Sequence, residues 1–278
     1  MKKILVPVDF SPKSEEALKV AAKIASDIGA EIYVLHLLDI PNGEVDLIDG
    51  KQVPKGPMAM MLFEATHHRF DEFLDKDYLD NIPVYEKVLT DAPVEGISDF
   101  AQKNHIDFIV MGSHGTSGVE EFFVGSNTEK VVRTSKIPVL VIKQPADQFK
   151  VEKVIIAGKF KGENIDEFKK VMEFIKMFNP EIYLVRVNTI SNFKSTKEIE
   201  DIFEAFFKKV PEYKCFKPVI YDDYTVQEGI FNFADKIGAD LITLATRGRQ
   251  GIMHFLSGSI TEDVVNAAKR NILTIKVK

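Results

Sequence analysis

Apolar residues in this chain fall into two alternating patterns. Uninterrupted runs at Ile4 to Val8, Glu31 to Leu38, Val84 to Leu89, Phe108 to Met111 and Val139 to Lys143 have the length and make-up of strands buried on both faces. Between them the apolar positions take helical spacing. Ala17, Leu18, Ala21, Ala22, Ile24 and Ala25 share one face of a helix that Ser11-Pro12 open and Gly29 stops. Further helices are expected from Met58 to Asp77, from Pro93 to Asn104, and from Gly125 onward, where Ser126 is a cap candidate. Residues 39 to 57, rich in Pro and Gly, read as a long punctuated loop.

Strands alternating with helices predict a parallel sheet with right-handed crossovers, and such sheets bind ligands beyond the carboxyl ends of their strands. Asp9 and Gly112 both lie at such ends. The second half then repeats the first. Glu31-Ile-Tyr recurs at Glu181, an offset of 150 residues. Glu95-Gly-Ile recurs at Glu228, Glu129-x-Val-Val at Glu262, and Leu140-x-Ile-Lys at Leu273, each offset by 133. The change of offset falls between the second and third strands, where the first half has its long loop. An ordered series of matches indicates two copies of one domain, 1–146 and 151–278, joined near Pro145 to Val151.

Composition narrows the class. Hydrophobic residues make up 45% and charged residues 28%, with a formal net charge of −6, so a packed core is expected and broad binding to nucleic acid or an anionic membrane is not. Cys215 is the sole cysteine, which excludes an intrachain disulfide and a cysteine-built metal centre. Met-Lys-Lys runs straight into Ile4, and no segment approaches the ~20 apolar residues of a membrane span, so a cytoplasmic setting is expected.

Candidate chemistry concentrates in residues 107 to 129. Gly112-x-x-Gly115, nine residues, then Gly125-Ser126 lie between a strand and a helix start. Glycine admits close backbone approach, and free N–H groups at a helix start attract anions, so this is a two-sided phosphate cradle or a glycine-rich crossover loop. There is no Gly-x-x-x-x-Gly-Lys-Ser/Thr loop and no Gly-x-Ser-x-Gly elbow. His67 and His68 are adjacent rather than four apart, unlike a helical zinc pair. Met58, Met60 and Met61 read as core or interface packing, and Phe203, Phe206 and Phe207 as core.

The spacing around Met111-Gly-Ser-His-Gly-x-Ser-Gly118 resembles the nucleotide-binding members of the universal stress protein family, and with the repeat the whole chain looks like a tandem of two such domains. The resemblance implies two Rossmann-like domains of the adenine nucleotide alpha hydrolase type, each a five-stranded parallel sheet flanked by helices. It also implies ATP, ADP or AMP as ligand, with or without Mg2+, and an intrachain pseudo-dimer packed through the last strands, compatible with a further homodimer. Pro7, Val8 and Asp9 would face adenine and ribose, Leu37 the base, and Met111, Gly112, His114, Gly115, Gly125, Ser126 and Asn127 the phosphates and ribose. Taken without the resemblance, Asp9 is a helix-capping residue and Leu37 is core.

The second half departs from the pattern. Asp9 becomes Lys159, Gly112 becomes Ala245 and His114 becomes Arg247, while Gly115 and Gly125-Ser126 persist as Gly248 and Gly258-Ser259. One nucleotide per chain is therefore expected. Arg247 and Arg249 could hold a free anion, or the half could be kept for packing alone. The expectation is a binding protein of stress response with at most slow ATP hydrolysis. The alternatives are a ligand-free scaffold and an enzyme splitting nucleotides between the α and β phosphates. Such enzymes carry a Ser-Gly-Gly-x-x-Ser loop, where this chain has Pro7-Val-Asp-Phe-Ser-Pro12.

Overall fold

The structure is a computed structural model that describes residues 2–38, 40, 45–48, 51–90, 93–113, 125–161, 165–247 and 258–277. The chain forms two compact units, residues 1–131 with 139–142, and residues 132–138 with 143–278.

In the first unit β1 (Lys3–Pro7) leads to α1 (Pro12–Ile28), β2 (Glu31–Leu38), β3 (Val45–Ile48), β4 (Lys51–Pro54), α2 (Pro57–Leu74), β5 (Val84–Thr90), α3 (Pro93–Lys103), β6 (Phe108–Gly112), α4 (Ser126–Thr134) and β7 (Val139–Ile142). Five strands pair in parallel in the order β7-β6-β1-β2-β5, with Ile4 opposite Phe108 on one side and Ile32 on the other. Ile4, Leu5, Ile32 and Ile109 are fully buried, as unbroken apolar runs require. The ends of α1 are set locally. The Ser11 hydroxyl accepts the Ser14 N–H, Pro12 opens the first turn, and Gly29 closes the helix in the left-handed region at φ 64°.

Three expectations change. The stretch read as a loop contains an antiparallel hairpin, with Val45 opposite Pro54 and Ile48 opposite Lys51. Its turn dipeptide Asp49-Gly50, a hairpin signal, lies outside the described residues. Helix α2 ends at Leu74 rather than Asp77, because Asp75 leaves helical geometry (φ −76°, ψ 76°) and a short 3-10 turn, Asp77–Leu79, folds Leu79 into the core. Met58, Met60 and Met61 are 59%, 50% and 60% exposed, so the core reading of these side chains fails.

The second unit repeats the plan with β8 (Lys153–Ala157), α5 (Ile165–Ile175), β9 (Glu181–Asn188), α6 (Thr196–Lys209), β10 (Lys217–Asp222), α7 (Val226–Ile237), β11 (Leu241–Arg247), α8 (Gly258–Ala267) and β12 (Asn271–Val277). Its parallel order is β10-β9-β8-β11-β12, which matches the first unit strand for strand. The recurring Glu-Gly-Ile has a packing reason here. A Cβ on Gly229 would lie 2.5 Å from Val187 Cγ1, so glycine lets α7 rest on β9.

Candidate functional site

In the first unit the chain leaves β1 toward β2 on one side and enters β6 and β7 on the other. The gap beyond the carboxyl ends of β1 and β6 is thus a topological switch point, where open α/β sheets receive ligands. Pro7 ends β1 and Val8 and Asp9 follow it into this gap, Met111 and Gly112 end β6, and Gly125, Ser126 and Asn127 begin or precede α4. Leu37 sits at the same edge on β2, opposite Leu89 of β5. His114 and Gly115 lie outside the described residues, as do Gly248 and Arg249 of the second half.

The two ends of the glycine-rich segment are clamped. Ser113, 2% exposed, donates its N–H to Ile142 O and accepts the Gly125 N–H on its own carbonyl at 2.6 Å. Thr128 Oγ1 donates to Gly112 O at 3.0 Å and ties the first turn of α4 to the end of β6. Glu129 N–H reaches Gly125 O, so the N–H groups of Ser126, Asn127 and Thr128 precede the first intrahelical bond and are a positive cluster at the gap. Sequence reasoning missed Thr128. Its recurrence as Thr261 was the available signal.

Gly112 has a second reason to be glycine. A Cβ there would stand 2.5 Å from the carbonyl oxygen of Lys13 and 2.8 Å from its carbonyl carbon, so the side-chain-free position seats the first turn of α1 on β6. Close approach to a phosphate is not needed to explain it.

On the β1 side, Phe10 adopts φ 62°, which non-glycine residues rarely do, and turns the chain from the strand into α1. Its ring fixes this geometry by packing on His36, Phe70 and Phe73 at centroid distances of 4.7, 5.0 and 5.4 Å, with the Arg69 guanidinium 4.2 Å above it. Asp9 Oδ1 accepts the Ser11 N–H at 3.0 Å in a local turn two residues ahead, while the cap of α1 is the Ser11 hydroxyl and not Asp9. The His36 imidazole donates from Nδ1 to Val8 O at 2.8 Å, which fixes the tautomer and leaves Nε2 as the acceptor. Burial pushes the His36 pKa below its usual value, with the Arg69 charge adding to the effect and the Val8 carbonyl and Asp9 opposing it.

The second unit rebuilds this turn with one exchange. Phe160, at φ 53°, packs on Phe203 and Phe206 of α6 at 5.1 and 5.3 Å, and Arg186 stands where the first unit has His36, donating from Nη1 to Lys159 O at 2.8 Å. The pairs Phe10/Phe160 and His36/Arg186 carry the 150-residue offset, and Phe70/Phe203 and Phe73/Phe206 carry the 133-residue one. That aromatic signal lay in the sequence unread.

The description of the universal stress protein family matches residues 1–143 and 211–276. A universal stress protein of Methanocaldococcus jannaschii, MJ0531, is 30% identical over 52% of this chain and 83% of its own length. A universal stress protein from Archaeoglobus fulgidus superposes with a TM-score of 0.73 over 99% of this chain and 98% of its own, at 20% identity, a likeness of fold. A universal stress protein solved in complex with cAMP is 24% identical over 51% of this chain and 96% of its own, with a TM-score of 0.34.

Proposed function

Because this chain belongs to the universal stress protein family, we propose that its first unit binds one adenine nucleotide, ATP, ADP or AMP, and serves regulation in the cytoplasm rather than metabolism. The observation that carries this reading is the convergence at one switch point of Asp9 beyond β1 and the open N–H groups of α4 beyond β6. A carboxylate accepts hydrogen bonds from a ribose hydroxyl or an exocyclic amine, and a helix start receives phosphate. Leu37 supplies an apolar position for the base on the neighbouring strand. Mg2+ would accompany the phosphates. Turnover is expected far below the ~10 per second of a typical enzyme. The second unit lacks the carboxylate, since Lys159 replaces Asp9.

Two measurements test this. Nucleotide released on denaturing the purified protein identifies the ligand, and calorimetry with ATP gives the stoichiometry. One site per chain is expected, with affinity falling at least tenfold in Asp9→Ala and in Gly125→Val. Two sites per chain, or Asp9→Ala binding as the wild type does, would sink the proposal. Gly112→Val is the wrong probe, because its clash with Lys13 disturbs α1 whether or not a ligand binds.

A further inference from the structure

Ile190, Phe193 and Tyr224 are 84%, 73% and 82% exposed. They are the large apolar side chains left exposed among the described residues of the second unit, and all three follow the carboxyl ends of β9 and β10, neighbouring strands of its sheet. One buried side chain ties their loops together. Asn188, on β9, accepts the Lys194 N–H on Oδ1 at 2.9 Å and donates from Nδ2 to Lys194 O at 3.3 Å and to Asp222 Oδ1 at 3.0 Å, while its carbonyl accepts the Asp223 N–H at 3.2 Å. Ile190 lies two residues beyond this hub, Phe193 next to its partner Lys194, and Tyr224 next to its partner Asp223. The loops are also capped from within, Thr189 and Asn192 by each other, Ser195 by Glu198 and Thr225 by Glu228. A frame bonded in this way holds the three side chains out in water instead of letting them fold onto the core, and grouped apolar exposure marks a surface that another molecule covers. The fold itself does not demand it. Ile40, the counterpart of Ile190 at the 150-residue offset, is partly buried, and Asp91 stands at the counterpart of Tyr224 at the 133-residue offset.

Charge selects the occupant. Asp222, Asp223 and Glu228 flank Tyr224, and residues 222–228 contain no Lys or Arg. The three carboxylates accept from Asn188, the Tyr224 N–H, Asn232 and Thr225, all neutral donors, and no cation among the described residues pairs with them. The lysines of the neighbouring loop and helix start are taken, Lys194 by Glu198 and Lys197 by Asp201. A second copy of the chain meeting this face about a two-fold axis would set the acidic patch against itself, and nucleic acid or an anionic membrane would meet the same repulsion. The complement is a protein segment with Arg or Lys beside aromatic or aliphatic side chains. We propose that the apolar patch at the carboxyl ends of β9 and β10, framed by the acidic loop 222–228, is a docking surface for a basic, apolar segment of another protein. The proposal does not depend on nucleotide binding in the first unit.

The test uses the full chain and a display library of random peptides, depleted on the double variant Phe193→Ser/Tyr224→Ser and then selected on the wild type. Both replaced side chains are exposed, so the double variant should keep its fold. Asp222→Asn removes one charge and keeps an acceptor for Asn188. The enriched peptides should carry Arg or Lys beside aromatic or aliphatic residues and bind more weakly as salt is raised. Their affinity, read by fluorescence anisotropy, should fall at least fivefold in the double variant and at least twofold in Asp222→Asn. Smaller losses overturn the proposal, as do a selection that enriches nothing or enriches peptides without basic residues. If the double variant fails to fold, the Asp222→Asn loss and the salt dependence decide. Sedimentation of the wild type tests the second copy, and self-association that the double variant abolishes would overturn the proposal in favour of a homodimer face.

Discussion

His36 and Arg186 show how one side chain sets the chemistry of a repeated turn. Each donates to the backbone carbonyls at the end of its unit's first strand, but only His36 titrates in the accessible range. Its pKa is held below 6.5, so folding favours the neutral ring. The resulting stability is fully present above pH 6.5 and is lost as pH falls through the lowered value in the folded protein. Denaturant unfolding at pH 7.5 and pH 5 should therefore show acid destabilisation of wild type that shrinks in His36→Gln, which retains a donor for Val8; an unchanged pH dependence would refute it. Phe10 makes a sharper case. Replacing it with alanine should cost about 2–4 kcal/mol, since the aromatic packing goes and the left-handed backbone stays. Phe10→Gly should cost less than Phe10→Ala, because glycine takes φ 62° without strain. The reverse order in chemical denaturation would show that the backbone strain is not real.

Among the elements, helix seating is decided by what a methyl group would meet. At Gly112 it meets a backbone carbonyl at 2.5 Å, at Gly229 a valine side chain at the same distance. A backbone moves only with its helix, whereas the nearest atoms at Gly229, Val187 Cγ1 and Cγ2, are the ends of one side chain. Gly112→Ala should therefore destabilise more than Gly229→Ala, by roughly 1–3 kcal/mol against about 1 kcal/mol or less, as melting of the two variants would show. The link from Thr128 to Gly112 O should matter to ligand geometry as well as stability. Thr128→Val removes a hydrogen bond worth about 1 kcal/mol and frees the first turn of α4. A drop in nucleotide affinity larger than the loss of stability would mark that turn as part of the cradle.

At the scale of the whole molecule, duplication allowed the two units to keep one strand order while their carboxyl edges diverged. The family match is interrupted between residues 143 and 211, the span that contains Lys159 and Arg186. The exchanges fall on both sides of the second unit's switch point, with Lys159 and Arg186 on the β8 and β9 side and Ala245 and Arg247 on β11. The elements themselves were legible in the sequence because their causes are local. The Ser11-Pro12 start, the Gly29 stop and the apolar run Glu31 to Leu38 each act within a few residues, and the structure places α1 and β2 at those bounds. The offsets of the repeat fixed the plan of two matching α/β units in the same way. What only the tertiary structure decided depends on partners far along the chain. Phe10 is left-handed because rings 26 to 63 residues away hold it, Gly112 is glycine because a carbonyl 99 residues earlier lies against it, and Arg186 is held by the Lys159 carbonyl 27 residues before it. A sequence pattern records the residue types at such places. Which atoms come within bonding distance is set by the packing of strands and helices, since backbone strain and desolvation are properties of the assembled neighbourhood.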